Sequence, residues 1–208
     1  MKDSAHDKEH IYRVLYTALE IAESESNVNF DILISACLLH DIGRPEQFEN
    51  PKLCHAEVGA KKAYDFLIKN GYEKSFAKRV HDCINSHRFR GGNKPESIEA
   101  KILFDADKLD VTGTLGIART LVYNGAEGEP LYSLDEKGYV LDGTGESEPS
   151  FFQEYKFKLE KIYDRFYTEK GKEIAQSRRS SAESFYNNML FEVRSSYEKG
   201  LEILDRLV

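Results

Sequence analysis

The chain has 208 residues, 40% of them hydrophobic and 31% charged, with a formal net charge of −7. That composition supports a sizeable core and argues against a nucleic-acid polymer, which needs a basic field; a small phosphorylated ligand stays open, since a bound divalent cation inverts the local field. Three widely spaced cysteines, an N-terminal MKDSAHDKEH without an apolar signal segment, and no apolar run near the ~20 residues that cross a bilayer point to a reduced, cytoplasmic protein without membrane contact.

The hydrophobic pattern is helical nearly throughout. Ile11, Val14, Leu15, Ala18, Leu19 and Ala22 form one face of a first helix, from Glu9 to about Glu23. Asp31 opens a second, whose ILISACLLH is apolar almost all round and so expected to be buried on most sides. It ends near Gly43, and a polar loop, RPEQFENPKL, follows. A third helix starts near His55 and stops at Gly71, and a fourth runs from Glu73 to His87 with Phe76, Val80, Cys83 and Ile84 inward. After the turn RGGNKPES, a fifth extends from Ile98 toward Tyr123, weakened at Gly113 and Gly116, where it is expected to bend or break.

Residues 125–150 are rich in Gly, Pro and acid, too long for a plain connector, and read as a lid or mobile loop in which KGYVL forms a short hairpin arm. SFFQEYKFKLEKIYDRF and the stretch from Lys170 onward are helical again and crowded with aromatic residues, expected to pack on the first five helices. The fold is therefore expected to be all-α: one domain over 1–208, with a helical core (1–124), the 125–150 loop and C-terminal helices (151–208).

Carboxylates are seldom buried unless paired or coordinating a metal. His40-Asp41 closes a buried helix, and Asp105, Asp107 and Asp110 follow the apolar ILF, so both groups need partners. The same dipeptide at His6-Asp7 and His81-Asp82 lies in polar or sideways-facing sequence and reads as surface.

Four segments in order resemble the HD-domain superfamily of metal-dependent phosphohydrolases: EHIYRVLYTALEIA, ACLLHDIGR, HAEVGAKKA and FDADKLDVTG, spanning residues 9–113. KLEKIYDRFYTEKGKEIAQSRR further resembles stand-alone bacterial HD hydrolases. The resemblance implies a helical HD bundle that binds a divalent metal through His10, His40, Asp41 and Asp107. Asp105 competes for the last place, and the Ala before Asp107 and the Leu two after it match the family segment.

It further implies hydrolysis of a phosphoester or phosphoanhydride, in a nucleotide or small metabolite, by a water activated on the metal. The alternative is a non-catalytic metal or nucleotide sensor. Two imidazoles and two carboxylates suit Mn, Fe, Ni, Co, Zn or Mg. In the family, histidines placed like His55 and His87 hold a second metal, bind phosphate or protonate the leaving group. Here Ser86-His87-Arg88 lacks the His-His pair of binuclear members. Asp41, His55 and His87 are the catalytic candidates, Arg44 and Lys108 the substrate contacts, and Arg13 a holder of a carboxylate behind the ligands. A homodimer is compatible with the aromatic-rich tail.

Overall fold

The computed structural model describes residues 8–88 and 93–207. His6-Asp7 and the RGG portion of the turn after α5 lie outside them. The elements are α1 (Lys8–Ala22), α2 (Phe30–Leu39), α3 (Arg44–Glu49), α4 (His55–Lys69), α5 (Lys74–Ser86), α6 (Ile98–Leu109), α7 (Gly113–Glu127), α8 (Phe151–Phe157), a 3-10 helix (Leu159–Asp164) and α9 (Glu169–Leu207). The described residues contain no sheet, only a lone antiparallel bridge between Leu134 and Val140. The fold is all-α.

Two compact units emerge: the described residues of Met1–Asp110 with Phe166–Ile174, and those of Val111–Arg165 with Ala175–Val208. In the first, α2 packs against α1, α5 and α6, and α4 against α3 and α5. Val14, Ala18, Ile21, Leu33, Ala36, Val80, Ile84, Ile102 and Leu103 form its core. Asn29 caps α2 by accepting from the Ile32 N–H, and Ser97 caps α6 through the Ala100 N–H. The apolar α2 is less enclosed than its composition suggests, for Leu38 is 45% exposed.

The stretch expected as a plain loop after Gly43 contains α3, with Pro45 in its first turn, where a missing N–H costs nothing. Lys62 of α4 donates to the Ile42 carbonyl at 2.8 Å and to Glu46 at 2.6 Å, tying the turn after α2 to α4. Gly43 lies directly on α4: a Cβ there would stand 2.3 Å from the His55 carbonyl oxygen and 2.5 Å from the Gly59 nitrogen. The fifth predicted helix breaks between Leu109 and Gly113, giving α6 and α7.

In the second unit, Tyr155 and Tyr186 stack with centroids 4.0 Å apart, and Phe151 and Phe152 are fully buried. The segment before α8 is held within this unit. Phe151 and Phe152 donate to the Pro130 and Leu131 carbonyls, and Tyr186 donates to Asp142 O at 2.6 Å. Its KGYVL portion closes a short hairpin through Asp135 N to Tyr139 O and Leu141 N to Ser133 O. Gly143, at φ +87°, sits where a Cβ would meet the Phe152 carbonyl oxygen at 2.1 Å.

Candidate metal centre

Five elements of the first unit converge on one cluster. α1 supplies His10, the end of α2 His40 and Asp41, the start of α4 His55, the end of α5 His87, and α6 Asp107. Four imidazoles in a protein core demand partners, and His10, His40, His55 and His87 are each at most 2% exposed.

His10 Nδ1 donates to Asp110 Oδ2 at 2.7 Å, and His40 Nδ1 to the Cys37 carbonyl at 2.7 Å. Each Nε2 therefore carries a lone pair. These two lone pairs face one another at 3.3 Å. Asp41 Oδ2 lies 3.5 Å from His10 Nε2 and 3.7 Å from His40 Nε2, buried and without a hydrogen-bond donor. Asp107 Oδ1 lies 3.5 Å from His10 Nε2. Acceptor atoms crowded round a point, with no donor among them, fit a divalent cation held by nitrogen and oxygen. Burial alone would raise the Asp41 and Asp107 carboxyls, but His40, His10, Arg44 and His87 around the first, and His10, His87, His40 and Lys108 around the second, hold both below the usual carboxylate range. Both are thus ionised, as a carboxylate must be to coordinate a metal.

On the other side of Asp41, His55 and His87 approach Nε2 to Nε2 at 3.3 Å, with Asp41 Oδ1 at 3.7 and 3.9 Å. These three could also gather a cation. Burial, followed by neighbouring charge, pushes His55 down to about 2 and His87 down to about 4, so both rings are neutral at neutral pH. His87 Nδ1 donates to the Ile84 carbonyl at 2.6 Å, while His55 Nδ1 meets Gln47 Oε1 at 2.7 Å and Arg88 Nη1 at 3.2 Å.

The remaining predicted residues distribute as follows. Arg44 is turned onto the cluster, its Nε 2.9 Å from Asp41 Oδ1. Lys108 extends its Nζ over the Phe104 ring at 4.9 Å, and its charge reaches Asp107. Arg13 holds the carboxylate that meets His10: its Nε and Nη2 grip Asp110 at 2.8 and 3.0 Å. Asp105 is elsewhere, accepting from the Tyr167 N–H and from the Thr168 N–H and hydroxyl ahead of α9. His81 and Asp82 pair on the surface. Asp110, Gln47 and Arg88 were not singled out as site residues from sequence, and only Asp110, among the carboxylates after ILF, carried a signal there.

The sequence profile of the HD domain matches residues 8–112. The uncharacterized protein YpgQ of Bacillus subtilis (strain 168) is 34% identical over 181 residues, covering 85% of this chain and 79% of YpgQ. The crystal structure of YpgQ in complex with ADP superposes with a TM-score of 0.71 at 28% identity, covering 93% of this chain and 92% of that one. A predicted HD superfamily hydrolase from an uncultured Thermotogales bacterium matches with a TM-score of 0.60 at 32% identity, over 91% of this chain and 83% of its own. Among the described residues, no helix is long and apolar enough to cross a membrane.

Proposed function

This chain belongs to the HD domain family, and on that premise we propose that it is a metal-dependent phosphohydrolase acting on a phosphoester or phosphoanhydride of a nucleotide or small phosphorylated metabolite. The observation that carries this reading is the orphaned Asp41 Oδ2 set against the lone pairs of His10 and His40. His10, His40, Asp41 and Asp107 hold the ion, with manganese the first candidate. When bound, such an ion supplies Lewis acidity to a phosphoryl oxygen and lowers the pKa of a water from 15.7 toward about 7.

The chain's own groups do the rest. Asp110 fixes the ring of His10, and the Cys37 carbonyl fixes that of His40, so neither has to reorient on loading. Arg44 holds Asp41 in place and keeps a cation beside the reacting phosphoryl group. His55 and His87 stand across Asp41 from the ligands, where, as neutral rings, they orient the substrate phosphate and its leaving oxygen by hydrogen bonding. Lys108 adds positive charge on the α6 side. That YpgQ has been crystallised with ADP supports a nucleotide as substrate.

The deciding experiment is a turnover screen of the Mn²⁺-loaded protein against nucleoside mono-, di- and triphosphates, cyclic nucleotides and simple phosphoesters. Identification of the released product as phosphate or pyrophosphate assigns the reaction. Metal-dependent release from a nucleotide is expected; no turnover on any compound would overturn the enzyme reading in favour of a metal or nucleotide sensor.

A further inference from the structure

α3 is six residues long, yet three of its side chains leave it toward three different places. Arg44 reaches back to Asp41 Oδ1 at 2.9 Å, Glu46 meets Lys62 of α4 at 2.6 Å, and Gln47 meets His55 at the start of α4 at 2.7 Å. Lys62 closes the set. Its ammonium also donates to the Ile42 carbonyl at 2.8 Å, one peptide beyond Asp41. The Arg44 N–H donates to the Asp41 carbonyl at 3.0 Å, so the turn from Asp41 to Arg44 is closed by its own backbone and held at its middle by Lys62.

The backbone of α4 presses on the same turn. A Cβ on Gly59 would stand 3.2 Å from the His40 carbonyl oxygen and 3.3 Å from the Gly43 nitrogen. The segment from His40 to Gly43 therefore rests on α4 with little slack. Lys62 lies one turn of α4 after Gly59, on the same face, where its side chain reaches the turn that Gly59 touches.

Stability does not explain the Lys62–Glu46 pair. The two side chains are 38% and 36% exposed, and ion pairs so open to water contribute little. Glu46 Oε2 is moreover buried without a donor, which costs free energy. What the pair does hold is a peptide plane next to Asp41. Because Glu46 neutralises the Lys62 charge, what reaches Asp41 is position rather than field.

We propose that Lys62, braced by Glu46, is a positioning residue for the metal centre: by holding the Ile42 carbonyl it keeps the Asp41 carboxylate turned with Oδ2 toward His10 and His40. The inference rests on the metal-binding half of the phosphohydrolase reading and adds to it a pair outside the ligand set. Without the ammonium, the Ile42–Gly43 peptide is free to tilt. Asp41 then loses the backbone that aims it, and the site loosens although all four ligands remain.

Competition titration with a fluorescent chelator gives the Mn²⁺ affinity, and melting curves in EDTA give the stability of the metal-free chain. Lys62→Met keeps the length of the side chain and removes the donor. It weakens Mn²⁺ binding roughly 10-fold, the size expected of groups that orient ligands, and leaves the metal-free midpoint near wild type. Lys62→Arg, which keeps a cationic donor, restores most of that affinity. Lys61→Gln, which removes the more exposed α4 ion pair with Asp65, changes neither quantity. If Lys62→Met does not fold, Glu46→Gln, which leaves Lys62 in place but removes its counter-charge, carries the test with a smaller loss of affinity. An Mn²⁺ affinity untouched by these variants, with or without a lowered metal-free midpoint, would overturn the inference, and so would a loss that Lys62→Arg does not restore. Either result leaves a metal-dependent hydrolase standing. A wild-type chain that binds no divalent ion would overturn the metal reading itself, and this inference with it.

Discussion

Asp110 Oδ2 lies 2.7 Å from His10 Nδ1, although the two residues are 100 positions apart, and Arg13 grips the same carboxylate with two hydrogen bonds. The carboxylate fixes the tautomer that leaves the His10 Nε2 lone pair facing the cluster. Asp110→Asn keeps an acceptor but loses the charge, and should weaken Mn²⁺ binding by about 10- to 100-fold. Competition titration with a fluorescent chelator measures this, and an unchanged affinity would reduce Asp110 to a staple between α1 and α6.

Replacing His40 or Asp41 by Ala should strip the ion and abolish hydrolysis while helix content by circular dichroism stays near wild type. His40 is fully buried, so some stability is lost as well, on the order of 1–3 kcal/mol, the usual cost of unmaking a buried hydrogen bond. Full metal occupancy in His40→Ala would sink the ligand assignment.

Asp107→Asn and Asp105→Asn should separate cleanly. The first loses metal, since its carboxylate stands at the histidines; the second keeps metal but melts at a lower temperature, since Asp105 holds the Tyr167–Thr168 backbone ahead of α9. Metal content paired with thermal melts reads both, and metal loss in Asp105→Asn with retention in Asp107→Asn would reverse the assignment.

Chelation should lower the thermal midpoint. An ion that binds only the folded chain stabilises it by about 2.7 kcal/mol when present at 100 times its dissociation constant. Melting curves with EDTA and after Mn²⁺ is restored test this, and coincident curves would argue against a bound ion.

Gly43→Ala should cost about 1–3 kcal/mol, because its methyl group would strike the backbone of α4 at His55 and Gly59 and neither can yield cheaply. Urea denaturation gives the loss, and a reduced metal affinity should accompany it because His40, Asp41 and His55 flank the contact. Wild-type stability would mean that the turn relaxes freely.

Much of this was legible in the sequence, for physical reasons. Helical periodicity marks α1, α4 and α5, since burial on one side imposes it. His40-Asp41 stands out because polar residues ending an apolar run need a partner. Choosing Asp107 over Asp105 depended on the phase of a short motif, and the structure sets Asp107 Oδ1 at His10 while Asp105 turns to Thr168. α3 carries no helical signal in sequence because RPEQFE, four polar residues with one proline and one phenylalanine, shows no apolar period. Gln47 and Arg88 were invisible as site residues because what selects them is not their own sequence context but the approach of α3, α4 and the end of α5 to one imidazole.

Asp41 presents one oxygen to the His10–His40 side and the other to Arg44, His55 and His87. Two halves of the candidate site are thereby joined through a single covalent group. The separation of its two oxygens is set by covalent geometry and does not change as the side chain moves. On the proposed phosphohydrolase reading, a carboxylate used in this way is a ruler: the substrates it serves would share one inner phosphoryl geometry, however different the remainder of the molecule. Selection among substrates then falls to residues beyond the ruler's reach, and those can vary from one relative to another without disturbing the chemistry at its centre.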